Sequence, residues 1–332
     1  MIDHAAQAKT GSDVAAADDP QGRPTFWGRV TGNRAYRALV AVLFASPRRQ
    51  FLILAAFPLV WVVTQHLGPM LQMLNVSLLE SYPLSAGEEA SLTFEHYRKF
   101  TADGGLFLKP FFRTLTFGVV LTFATLLITY PVAYFLARHV KRENQLSLLL
   151  LLLIPFWTGE IVRTYAIMIL LGNNGAVNLA LQWLGLVERP IPFMYTGFSV
   201  SVGLIYLTAL YMLLPLYSAL EKLPRSYSEA AADLGAGTWT RFRRITLPLT
   251  LEGIGSGCTL VFLISIGYYG TPVLLGGPNT TVFAETIAGF FHTAGDEWPT
   301  GAAFAVIMFF TALAMAGIFT RLIAMLRKGD SR

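Results

Sequence analysis

The sequence has almost no sulfur chemistry and little charge. Cys258 is the one cysteine in 332 residues, so an intrachain disulfide is impossible. His66, His96, His139 and His292 are scattered, and no cluster has metal-ligand spacing. A metal site is therefore not expected. No G-x-x-x-x-G-K-[ST] phosphate loop occurs, so the backbone cradle that ATP hydrolysis requires is missing. Hence no catalytic residue and no bound cofactor is assigned to the chain. A net charge of +5 comes without an aromatic-basic module, which excludes a nucleic-acid reading. The pattern of a short basic lead and short apolar core is also absent. The first 49 residues include Asp13, Asp18 and Asp19, so the first apolar run is expected to be an uncleaved span.

Apolar residues dominate instead, at 54% against 14% charged. A spanning helix needs about 20 mostly apolar residues to cross about 30 Å of hydrocarbon. Six stretches qualify, at about 50–68, 111–137, 146–171, 197–219, 251–275 and 301–326. A soluble core helix would show a polar stripe, whereas "LSLLLLLLIPFW" (146–157) is apolar on every side.

Lys and Arg mark the cytoplasmic side of membrane proteins. With the N-terminus placed inside, 19 of them fall on that side and four, Arg98, Lys99, Lys109 and Arg189, fall outside. Both termini are thus expected in the cytoplasm of a multi-pass protein. Residues 1–22 read as disordered. Residues 25–46 read as an amphipathic helix along the inner interface, completing an N-terminal region over 1–49. The span and acidic external loop at 50–110 precede a transport core at 111–326. Two further external segments, 172–196 and 276–300, contain short apolar patches that predict surface helices.

One internal stretch is polar: "SYSEAAADLGAGTWTRFRRITLPLT", residues 226–250. Pro224 helps end the fourth span. Ser226 and Glu229 have capping-box spacing, and Gly235 can take the left-handed position that stops a helix. A second helix over about 238–247 carries Trp239, Phe242 and Ile245 on one face, with Pro248 closing it before the fifth span. Two short helices with a glycine joint, anchored by two spans, form an elbow stiff enough to transmit a push. An apolar face on a cytosolic loop calls for a partner.

Glu229-Ala230-Ala231, three residues, Gly235, nine residues, then Ile245-x-Leu247-Pro248 resembles the EAA loop of binding-protein-dependent ABC importer permeases. The stretches 113–138, 153–186 and 214–224, with "FEHYRKF" at 94–100, resemble the spermidine/putrescine permease subfamily. The likeness covers about two-thirds of the chain and departs at Glu160, where polyamine permeases tend to carry a neutral residue. It implies an all-α integral membrane fold with six transmembrane helices, the type I ABC importer transmembrane domain. It also implies a coupling loop at 226–248 that docks on a cytoplasmic ABC ATPase. Glu229, Ala230, Ala231, Asp233, Gly235, Phe242, Ile245, Leu247 and Pro248 are its coupling residues. ATP and Mg would be used by that ATPase. Further implied partners are a second permease subunit, homologous but different, an external solute-binding protein and membrane lipid. The solute is expected to be small and polar or cationic. An opine permease and an ion-driven secondary transporter stay open as alternatives, although the inverted repeat common in the latter is not visible.

Glu160 and Arg163 lie within an apolar run. Each costs about 2.5–3.5 kcal/mol at a bilayer centre on insertion scales. Three residues apart, they are expected to meet on one helix face and to face the pore or a partner helix. "IGYYGTPVLLGGP" (266–278) interrupts the fifth span, and interrupted helices often line a translocation path. Tyr268 and Tyr269 there are placed beside Glu160 and Arg163 as candidates for the solute path, since their rings can stack on a cationic amine. Gly253, Gly255 and Gly257 predict close helix approach.

Overall fold

A computed structural model describes residues 33, 46–84, 89–102, 104–292 and 297–329. The expectations for residues 1–22 and for a helix over 25–46 lie outside the described residues. The chain divides into two units, Met1–Gln72 and Met73–Arg332. In the first, α1 (Pro47–Val62) leads through a π turn (Val63–Leu67) into α2 (Gly68–Val76), within which the division falls. The expected end of this span at 68 is too early, because Leu54–Val76 is long and apolar enough to cross a bilayer. The physical reason lies at Pro69. A proline inside a helix lacks one N–H, and its ring collides with the carbonyl four residues back. The π turn widens the helix just ahead of it, Gly68 N–H bonding the Val63 carbonyl, so the rod continues through the proline.

The second unit runs through α3 (Glu95–Ala102), α4 (Leu108–Arg138), α5 (Arg142–Leu153), α6 (Glu160–Leu171), α7 (Ala176–Trp183) and α8 (Gly197–Lys222). It continues with α9 (Arg225–Asp233), α10 (Thr238–Arg241), α11 (Leu247–Leu249), α12 (Leu251–Gly267), α13 (Gly270–Leu275), α14 (Phe283–His292) and α15 (Trp298–Gly329). The described residues form no sheet; Leu79 and Leu92 make an isolated bridge. Among them, five helical stretches have span length and apolarity, and a bent pair raises the number to six. The short helices expected within 172–196 and 276–300 form as α7 and α14.

The centre is built by α4, α8 and α12, whose buried Tyr130, Ala133, Leu213, Leu216, Leu220 and Val261 join one apolar cluster. Gly253 and Gly257 let α12 approach α8 closely: a Cβ on Gly253 would stand 2.5 Å from the Ala219 Cβ, and one on Gly257 2.7 Å from the Met212 sulfur. Three buried hydroxyls of α4 bond within their own helix. Thr122, Thr125 and Thr129 donate to the carbonyls of Gly118, Leu121 and Thr125 at 2.7, 2.8 and 2.6 Å. This back-bonding lets polar residues stay in an apolar rod without an unmet donor. At one end, α3 packs against α15. Phe100 meets Phe111, Phe283 and Phe304 edge-on at 5.1, 5.9 and 5.5 Å. Buried His96 bridges there too: Nε2 faces the Leu79 carbonyl at 3.0 Å and Nδ1 the Thr300 hydroxyl at 2.9 Å. A carbonyl only accepts, so Nε2 donates to Leu79.

The stretch expected as one rod over 146–171 is broken. Its first part, α5, is tied down by buried Gln145, whose amide donates to the Ala137 and Val140 carbonyls at 3.2 and 3.1 Å. Pro155 then falls in a single 3-10 turn, Ile154–Trp157, and Thr158 and Gly159 are extended before α6 starts at Glu160. Glu160 therefore occupies a first helical turn rather than mid-rod, where the helix dipole favours its carboxylate.

Candidate functional site

The polar stretch folds as an elbow between α8 and α12. Extended Pro224 starts α9, and Ser226 lies inside the helix with no side-chain cap at its end. The expected capping box does not form, because the helix already starts after Pro224, two residues before Ser226, where proline fixes φ. The stop is as expected. Gly235 has φ +82°, its N–H bonds the Ala232 carbonyl at 2.8 Å, and Ala236 N–H bonds the Ala231 carbonyl at 2.9 Å. These two bonds are the Schellman pattern. After extended Gly237, α10 widens into a π turn, Phe242–Thr246, and α11 carries Pro248. The device is the one seen before Pro69. Pro248 does not close the helix as expected. The break comes at Thr250, where Thr238–Leu249 and Leu251–Gly267 meet at a 64° bend.

The elbow is fixed to the bundle at its base. Thr250 Oγ1 donates to the Thr246 and Leu247 carbonyls and lies 3.1 Å from the Tyr130 hydroxyl of α4. Phe242 stands edge-on to Tyr130 and Tyr134, at 5.7 and 6.1 Å, and stacks on Trp239 at 5.5 Å. The ring of Phe242 thus turns inward, and the expected common face of Trp239, Phe242 and Ile245 divides. Trp239 is 71% exposed, whereas Phe242 and Ile245 are half-buried. Sequence reading missed Leu234 at the tip, 88% exposed, and Tyr227, 52% exposed. Leu234 was visible as an apolar residue directly before the stopping glycine. Glu229, Ala230 and Asp233 are exposed on α9, and Ala231 is half-buried. Beneath α9 lies a cavity of about 280 Å³ lined by Arg138, Arg225, Arg241, Glu229 and Phe242 among others.

A second polar cluster lies where α6 meets α13. Thr271 Oγ1 donates to Glu160 Oε1 at 3.2 Å and lies 3.0 Å from Thr164 Oγ1. Thr164 in turn bonds the Glu160 carbonyl at 3.0 Å, and both threonines are 1% exposed. The expected Glu160–Arg163 pair does not close. The Arg163 guanidinium lies over the Phe156 ring, 4.5 Å from its centroid, and its Nε and Nη1 are buried without a hydrogen-bond partner. The broken chain at Thr158 and Gly159 brings Phe156 back under Arg163, so the arginine takes the ring face instead of the carboxylate. Leaving a buried donor unmet costs about 1–3 kcal/mol. Tyr268, half-buried, is within electrostatic reach of Glu160 and Arg163. Tyr269 points away into an apolar groove with Ile266, Ile287 and Met308. The structure therefore joins three of the four expected path residues and separates the fourth. Thr164 and Thr271 had gone unnoticed, though Thr164 lies one helical turn after Glu160.

Residues 48–328 match the family described as "Binding-protein-dependent transport system inner membrane component". The spermidine/putrescine transport system permease protein PotB of Escherichia coli strain K12 is 34% identical over 268 residues, covering 81% of this chain and 96% of that protein. PotB of Haemophilus influenzae is 33% identical over 278 residues, 84% and 90% of the two chains. The inner membrane ABC transporter permease protein YdcU of Escherichia coli is 28% identical over 275 residues, 79% and 86% of the two. Among solved structures, a chain of a bacterial ABC transporter that imports the acidic polysaccharide alginate superposes with a TM-score of 0.61 at 17% identity. That match covers 85% of this chain and 98% of the other. A chain of a bacterial alginate ABC transporter in complex with an alginate-pentasaccharide-bound periplasmic protein gives a TM-score of 0.64 over 87% and 99%, also at 17% identity. At this identity the likeness is one of fold, that of a type I ABC importer permease. The bent elbow, the broken helices and the family match over nearly the whole described chain agree: this protein belongs to the binding-protein-dependent transport system inner membrane components, and is a multi-pass transport permease subunit rather than an enzyme.

Proposed function

We propose that the chain forms part of the pore of an ATP-driven importer, with the elbow at 226–248 seated in a cytoplasmic ATPase that binds the ATP and Mg. A second, homologous permease completes the pore, and an external binding protein delivers the solute. Both termini then lie in the cytoplasm, as the 19-to-4 division of basic residues requires. The observation that carries this reading is mechanical. The elbow presents Leu234 and Trp239 outward, while Thr250 and Phe242 hold it to Tyr130 of α4. Movement of the tip is thereby passed to α4, α8 and α12 together. A small polar or cationic solute suits the Glu160 cluster, and polyamine transport is what the PotB relatives' names record. The opine alternative keeps the same machinery. An ion-driven carrier leaves the outward-facing elbow without a purpose.

Glu229 is exposed on α9 and makes no helix cap among the described residues, so its carboxylate is available to the ATPase. A hydrogen bond to a charged group is worth about 1.5–3 kcal/mol. Glu229→Ala is expected to lower solute-stimulated ATPase activity of the reconstituted importer about tenfold or more, while the variant inserts at parental yield. Undiminished stimulation would count against the contact. Glu160→Gln removes the carboxylate that accepts from Thr271 but preserves its shape. Uptake of the solute should fall at least tenfold, with ATPase copurification unchanged; equal uptake by the variant would remove Glu160 from the path.

A further inference from the structure

The α6–α13 cluster holds opposite charges that do not neutralise each other. Glu160 engages Thr271 through one oxygen. Arg163 uses the face of its guanidinium on Phe156, which leaves the N–H groups along its edge. Two of its nitrogens, Nε and Nη1, are buried with no acceptor among the described residues. Both residues lie on the first turn of a helix that begins at an unwound segment, Thr158–Gly159, and half-buried Tyr268 is within electrostatic reach of both. Half-buried Arg163 thus leaves two donors unmet instead of turning them to the carboxylate three residues away.

We propose that the imported solute is zwitterionic: an ammonium group meets Glu160 and a carboxylate meets Arg163. The proposal rests on the reading of this chain as an importer permease and deepens it. The argument is one of charge complementarity. A diamine places a second positive charge against Arg163, and a diacid places a negative charge against Glu160. Only a solute with one group of each sign satisfies both side chains, and a carboxylate also supplies the acceptors that Nε and Nη1 lack. Arginine favours this partner because its N–H fork matches carboxylate geometry.

The test uses the complete importer, with its own ATPase, second permease and binding protein, in proteoliposomes. Four labelled probes are offered: butane-1,4-diamine, 4-aminobutyrate, butanedioate and a longer zwitterion, 6-aminohexanoate. At least one zwitterion is expected to enter and to outcompete the diamine and the diacid. In Arg163→Gln its uptake should fall at least tenfold, and diamine uptake should rise relative to it. Arg163→Lys, which keeps the charge and loses the fork, should retain more uptake than Arg163→Gln. Copurification of both partner subunits with Arg163→Gln should match the parent. Entry of the diamine or diacid in preference to both zwitterions overturns the proposal, as does coupled hydrolysis with neither zwitterion entering. Dissociation of the permease pair in Arg163→Gln also overturns it, assigning Arg163 to the subunit seam. A complex whose ATP hydrolysis never responds to its binding protein overturns the importer reading instead.

Discussion

Leu234→Asp is expected to weaken the hold of the ATPase on this permease between about tenfold and a hundredfold. The side chain is 88% exposed at the turn between α9 and α10, so an apolar group projects from the tip of the elbow. Burying a leucine contributes about 1.5–3 kcal/mol, and each 1.4 kcal/mol is tenfold in affinity. Aspartate removes that gain and adds the desolvation of a charge, which moves the effect toward the upper end. The fold should not notice, since exposed substitutions usually change stability by within about 0.5 kcal/mol. Binding of the purified ATPase to permease in lipid nanodiscs measures the first effect, and thermal unfolding of the same sample measures the second. An affinity within threefold of the parent would mean that Leu234 does not enter the partner's groove.

Gly253→Val is expected to damage the bundle rather than the elbow. A Cβ there would stand 2.5 Å from the Ala219 Cβ and 2.7 Å from the Pro215 carbonyl oxygen. The oxygen belongs to the backbone of α8, so the strain is not relieved by turning a side chain. Overpacking typically costs about 1–3 kcal/mol and occasionally more, and this site should fall at the top of that range. For a chain of 332 residues each kcal/mol moves the melting temperature by about 1–2 °C, so a fall of about 3–6 °C is expected in detergent. Gly267→Ala is the control, because nothing lies within 4 Å of its added Cβ; that variant should melt with the parent. A Gly253→Val protein that melts with the parent would show that α8 and α12 do not meet as described.

What could be read in the sequence followed its strongest physical signals. Long apolar runs located α4, α8 and α15 to within a few residues, and the start of α12 but not its end at Gly267, because a rod in lipid must be both long and apolar. Gly235 marked the end of α9, since the left-handed position there favours glycine. Prolines were read less well. Pro248 was taken as a stop, yet it follows a π turn that carries the helix past it, as Pro69 also does. Whether a neighbouring turn widens depends on packing, which a run of letters does not record. The candidate path shows the same division. Glu160 and Arg163 stood out as charges among apolar residues, but their failure to pair depends on Phe156 and Thr271. The latter lies 111 positions from Glu160 along the chain, beyond any local pattern.

The central claim is that the elbow at 226–248 is driven by a separate ATPase. A single cysteine at position 234, placed in a Cys258→Ser chain, provides the most direct measurement when a short bifunctional crosslinker is applied to the assembled importer in membranes. The account predicts a covalent adduct between this chain and a nucleotide-hydrolysing subunit, with its yield altered by ATP. Adducts with no nucleotide-hydrolysing protein, from an assembly that still transports solute, would contradict it.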